Sequence, residues 1–138
     1  MPTSVYTDTG AMELAGAIQA LMAASKIRLF KDTLSITPAL TEAELVAAEC
    51  DYDGYAAITV TAFLNPYLDP AGGATTQSGS HVFYYGPAAS PPVTNNVLGF
   101  WCETAGGVPI LVVGFDNPVP MTAVGDAVPV NVLLNFGA

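Results

Sequence analysis

Positive charge is what this sequence has least of. Only Lys26, Arg28 and Lys31 are basic, against 12 acidic residues, and the formal net charge is -9 over 138 residues. A nucleic-acid-binding surface neutralises many phosphates with Lys and Arg, so that class of function is excluded, and adhesion to an anionic membrane with it. Charge of either sign is scarce, at 11% of the chain, against about 25% in ordinary soluble domains. Either Thr, Ser, Asn, Gly and Pro clothe the surface, or part of it is apolar and covered by neighbours. Extended apolar patches on a folded chain mark interaction sites.

Histidine is nearly absent. His81 is the single one, and no serine sits in a GxSxG turn, so no Ser-His-acid triad can be assembled from local signals. Metal ligation by imidazole would want a second His or a Cys at ligand spacing, and neither is present. The two cysteines, Cys50 and Cys102, form no CxxC. Joined, they would close a loop of about 50 residues and stabilise by about 4 kcal/mol in the loop-entropy account. Met1 to Gly10 has no basic n-region, so no secretory leader is read there, and two buried thiols are the expected state. No run reaches the 18 apolar residues or so of a membrane span. No enzyme activity, metal or cofactor is expected.

The hydrophobic share is 51%, and its periodicity changes along the chain. Residues 1–9 read as an extended arm. Leu14, Ile18, Leu21 and Met22 then fall on one helical face, with Asp8 or Thr9 as cap and Ser25 ending the run. Lys26 to Lys31 alternates basic and apolar, as in a strand with one charged side. Thr41-Glu42-Ala43-Glu44 is a capping box opening a short helix to about Glu49. Later segments read as strand: Tyr55 to Leu64 with Ile58, Val60, Ala62 and Leu64 on one face, His81 to Tyr85, Val97 to Thr104, and Val108 to Phe115. Ala105-Gly106-Gly107 turns a hairpin between the last two. Loops are expected at Pro66 to Gly73 and at the Pro-rich Gly86 to Asn96, a bend at Asp116 to Pro120, and a turn at Gly125-Asp126. Val128, Val130, Val132, Leu134 and Phe136 alternate strictly, with Pro129 on the other face pushing that strand toward an edge or bulge. About six strands with closely spaced turns predict a mainly β chain. The expected fold is an antiparallel β-sandwich or jelly-roll-like domain over residues 26–138, preceded by an arm and helix at 1–25 and carrying one short second helix.

Two clusters carry potential chemistry. Glu49-Cys50-Asp51-Tyr52-Asp53-Gly54 copies the first half of a calcium loop, with acids at positions 1, 3 and 5 and Gly at 6. Position 12, which should be a bidentate Glu, is Val60. A plain turn with a solvated acidic face is the reading preferred. The aromatics Phe83, Tyr84, Tyr85, Phe100 and Trp101 fall on neighbouring strands, where core packing is the ordinary use. A sugar-stacking platform built on Tyr84 and Trp101 is the alternative, and would make the chain a carbohydrate-binding module.

The order of landmarks from Lys26 onward resembles the small virion structural proteins of tailed bacteriophages, the capsid decoration or cement proteins and head fibres. The landmarks are Ile27-Arg28-Leu29-Phe30-Lys31, Thr41-Glu42-Ala43-Glu44-Leu45, Asp53-Gly54-Tyr55-Ala56 leading into Ile58-Thr59-Val60, Leu98-Gly99-Phe100-Trp101, and Gly125-Asp126. The resemblance covers about four fifths of the chain and rests on turns and strands, with no catalytic motif. It implies a β-sandwich subunit in the virion, made in the host cytoplasm before assembly. Such a subunit binds a major capsid or other virion protein, or forms a homo-oligomer, with a trimer favoured. The first 25 residues lie outside it. Their apolar positions Val5, Tyr6, Leu14, Ile18, Leu21 and Met22 are the expected inter-subunit contacts.

Overall fold

A computed structural model describes residues 3–137, so that Met1 and Pro2 of the expected arm lie outside it. The chain is mainly β: two antiparallel sheets face each other as a sandwich, with two helices on its periphery. Helix α1 spans Asp8–Leu21 and α2 Glu42–Ala47. The strands are β1 (Ser25–Phe30), β2 (Ile58–Val60), β3 (Tyr67–Leu68), β4 (Ala74–Tyr84), β5 (Asn95–Glu103), β6 (Pro109–Met121) and β7 (Ala127–Phe136). One sheet runs β2-β1-β5-β6 and the other β3-β4-β7.

Alternation places the core. Ile27 and Leu29 from β1, Val97 and Cys102 from β5, Phe83 from β4, and Val128, Val130 and Val132 from β7 meet between the sheets. Leu134 is half-buried at its rim, and Pro129 is exposed on an edge strand, where its missing N–H breaks no ladder. A second, smaller core lies on the far side of the four-stranded sheet. Phe30, Trp101, Leu45 and Ala48 pack there, because α2 folds back over β1 and β5. Gly99 makes this possible, since a Cβ at that position would collide with the Phe30 ring and the Val113 carbonyl. Thr41 caps α2 as its sequence requires, its Oγ1 accepting from Glu44 N at 3.3 Å.

Several expected elements are redrawn. The cap of α1 is Thr7, whose Oγ1 accepts from Gly10 N at 3.0 Å, in place of Asp8 or Thr9. The strand expected from Tyr55 to Leu64 shrinks to Ile58–Val60. Beyond it the chain leaves the sheet, Phe63 is buried, and Ala62 and Leu64 turn to solvent. Strand β4 starts seven residues before His81, because polar residues occupy core positions with their hydroxyls satisfied: Thr76 Oγ1 donates to Leu64 O at 2.8 Å, and Ser78 Oγ accepts from Val132 N at 2.9 Å. The expected bend at Asp116 to Pro120 is an arch within β6. Partners step from Val97↔Val119 to Gly99↔Gly114, so two steps on β5 match five on β6.

Candidate functional site

The register of β1 against β5 sets Arg28 opposite Trp101 and Lys26 opposite Glu103 on the outer face of the four-stranded sheet. There Arg28 donates from Nε to Glu103 Oε1 at 2.7 Å and from Nη1 to Glu49 Oε2 at 2.9 Å. Tyr55 Oη donates to Glu49 Oε2 at 2.6 Å, and Trp101 Nε1 donates to Glu103 Oε2 at 3.2 Å. Burial opposes the guanidinium's charge, but the bonds to Glu103 and Glu49 outweigh it and hold its pKa above the ordinary value. Burial, then the bond to Glu49, pushes the Tyr55 phenol upward. Both carboxylates are engaged by one cation, so the pair is a clamp between β1, β5 and the end of the α2 segment. Nothing in the sequence signals that Arg28 and Glu103, 75 residues apart, would meet. The acid that directly follows the apolar run Val97 to Cys102 is the one hint.

This arrangement corrects the glycan platform. Trp101 is wholly buried with its indole N–H bound to Glu103, so it offers no stacking face. Tyr84 is 65% exposed but stands apart on the other sheet.

The acids of the calcium-like segment diverge to separate partners. Glu49 serves Arg28 and Tyr55. Asp51 Oδ1 accepts from Lys31 Nζ at 2.9 Å and from Asn95 Nδ2 at 3.0 Å, which holds its pKa below the usual carboxylate range, Lys31 contributing most. Asp53 Oδ2 accepts from Ala89 N at 2.8 Å, Val93 N at 3.0 Å and Tyr85 Oη at 3.2 Å. The Ala89 bond leads in lowering its pKa, and the carboxylate pins the Pro-rich loop after β4. Gly54, at φ +85°, sits so close under the Gly86 carbonyl that no side chain would fit. Among the described residues no three His, Cys, Asp or Glu side chains group as metal ligands. His81 Nδ1 lies 3.0 Å from the Gly79 carbonyl. Cys50 and Cys102 are free and buried, and burial pushes their thiols up to about 12 and about 11.

The expected inter-subunit residues divide. Val5 and Tyr6 are exposed, at 82% and 61%, and Leu14 and Leu21 lie on an outward flank of α1. Met22 is wholly buried in the protein's own core, and Ile18 packs against that core. These two are corrected: they hold α1 to its own sandwich. The physical reason is that Ala11 and Ala15, small enough for close approach, form the contact face with Ala74. That rotates Leu14 and Leu21 away from it. Gln19 Nε2 fastens the other flank to Phe63 O and Asn65 Oδ1, both at 3.1 Å.

Among the described residues, one sheet face has no cover and little charge. On the outer face of the three-stranded sheet, cross-strand partners are Gln77 with Leu133, Ser80 with Asn131, Val82 with Pro129 and Tyr84 with Ala127. None is Asp, Glu, Lys, Arg or His. Asn131 Nδ2 donates to Gln77 Oε1 at 2.8 Å, and Asn135 Nδ2 to Thr75 Oγ1 at 2.8 Å, forming a polar lattice around Leu133 whose one charged neighbour here is Asp69, to which Thr75 Oγ1 donates at 3.3 Å. A groove of about 390 Å³ opens beside it, between the β6 arch and β7, lined by Phe115, Asp116, Val119, Val128 and Pro129 among others. No protein-family model, curated protein or solved structure matches this chain.

Proposed function

We propose that this chain is a non-catalytic assembly subunit that works by packing uncharged surface against other protein. Its specific form is the virion decoration or fibre role that the order of landmarks resembles. The observation that carries the reading is the outer face of the β4-β7 pair, open to solvent and without Asp, Glu, Lys, Arg or His from Gln77 to Tyr84 and from Ala127 to Asn135, on a chain of net charge -9. A face kept for solubility would hold some of the 12 acids. Exposed Val5, Tyr6, Leu14 and Leu21 supply further apolar surface near the N-terminal end. Of its two residues the carbohydrate reading retains Tyr84 alone, because Trp101 is buried.

The test is hydrodynamic and biochemical. The purified full chain should sediment as an oligomer whose mass changes little with salt, because its contacts are uncharged. It should also co-sediment with purified phage particles. A monomer that binds no particle, and whose tyrosine fluorescence titrates with a glycan, would replace this reading with the carbohydrate one.

A further inference from the structure

Resting on that reading, we infer that the free edge of β7 pairs with the same edge of a second copy, antiparallel across a two-fold axis centred on Leu133. Four edges bound the two sheets. Strands β2 and β3 are three and two residues long, too short to template a partner. Strand β6 is long but blunted by Pro109, Pro118, Pro120 and its arch. Strand β7 runs ten residues, is regular along its own length, and among the described residues has only β4 paired with it, the β6 arch flanking Val128 and Pro129 across the groove.

The backbone phase selects the donors. The Val132 N–H points toward β4, where it donates to Ser78 Oγ. Strand period two then turns the N–H and C=O of Asn131, Leu133 and Asn135 the other way, to the open edge. Among the described residues no loop or turn bonds to them. Pro129, on the same phase, has no N–H and limits the usable edge on one side.

The segment Asn131-Val132-Leu133-Leu134-Asn135 is self-complementary by side-chain class when run antiparallel against itself. Leu133 meets its own symmetry mate, Asn131 meets the mate's Asn135, and Val132 meets the mate's Leu134. Leu133 is 52% exposed, so the pairing covers apolar surface at the axis. No residue of β7 is Asp, Glu, Lys, Arg or His, and neither are the outer-face residues of β4 from Gln77 to Tyr84. Two chains of net charge -9 can therefore approach here without apposing acids. The product is one continuous six-stranded sheet from two three-stranded ones, whose uncharged outer face is doubled in extent.

Sedimentation equilibrium of the full chain should give a dimer, or a multiple of one. Leu133→Lys, at an exposed side chain, should still fold, with a native circular-dichroism spectrum and cooperative melting. Two ammonium groups then meet at the axis and leucine burial is lost, so the dimer dissociation constant should rise roughly a hundredfold or more. Leu133→Cys should cross-link into a disulfide dimer on mild oxidation, the native thiols being buried. Val124→Cys, 73% exposed in the β6–β7 turn, should not. A dimer that survives Leu133→Lys, a trimer, or a Leu133→Cys chain that stays uncross-linked overturns the edge pairing. A monomer that still binds particles overturns it and leaves the assembly reading standing. A monomer that binds none overturns both.

Discussion

Replacing Glu103 by Leu tests whether the clamp across β1 and β5 contributes to stability. Glu103 is 3% exposed, accepts from Trp101 Nε1 at 3.2 Å and from Arg28 Nε at 2.7 Å. Without it, the indole N–H of a wholly buried residue has no acceptor, a cost of about 1–3 kcal/mol. Arg28 is partly solvated and keeps Glu49, so its loss is smaller, about 1 kcal/mol after screening by water. Leucine returns about 1 kcal/mol of burial. The sum is about 2 kcal/mol of lost stability. With a slope of about 2 kcal/mol per molar urea, the unfolding midpoint falls by about 1 M. Glu103→Gln keeps an acceptor for Trp101 and should lose only about 1 kcal/mol. The assay is urea denaturation followed by Trp101 fluorescence, with unchanged slope as the condition for comparing midpoints. A Leu variant within about 0.5 kcal/mol of wild type would refute the reasoning, and so would a Gln variant as damaged as the Leu one.

Val132→Asp puts a carboxylate where the side chain is fully buried, so the variant should fail to accumulate in soluble form; a normal melting curve would show that β7 does not face the core. Millimolar calcium should leave the melting temperature unchanged, because Glu49, Asp51 and Asp53 diverge to separate partners; a clear rise would make those acids a metal site. Asp51, Asp53 and Asp126 have pKa values lowered in the fold. Their stabilisation is therefore complete above the unfolded carboxylate range near pH 4 and is lost as pH falls through the lower folded values. Relative to the intrinsic exchange rate at each pH, amide protection in residues 86–94 should fall over that acid window in wild type, and at neutral pH in Asp53→Ala; a loop equally protected at neutral pH in both would remove Asp53 from its anchoring role.

The sequence announces elements where one physical demand acts alone. Strict alternation from Val128 to Phe136 is legible because one face of β7 is buried and the other wet. Thr41 and Glu44 are legible because a helix start needs its N–H groups satisfied locally. The start of β4 is not, because Thr76 and Ser78 hold core positions through bonds to Leu64 and Val132 that no local pattern contains. Trp101 misled for a related reason. Its parity, opposite Arg28, puts it on the outer face, and only the return of α2 over that face buries it. Met22 misled because alanine, which patterning counts as weakly apolar, set the contact face of α1 at Ala11 and Ala15. The uncharged outer face of the three-stranded sheet becomes visible only when β4 and β7 are laid side by side.

Strand β5 is packed on both sides, Cys102 and Val97 toward the sandwich and Trp101 toward α2, while β4 and β7 are packed on one. This makes the two sheets unequal in stiffness. Amides of Phe100, Trp101 and Cys102 should exchange with solvent hydrogen only when the whole molecule unfolds. Those of β7 should exchange through smaller openings that leave the four-stranded sheet intact. A surface that meets a curved or irregular neighbour gains from such inequality. The compliant sheet can alter its twist to fit what it touches, and the doubly packed sheet behind it keeps that adjustment from spreading into the rest of the fold.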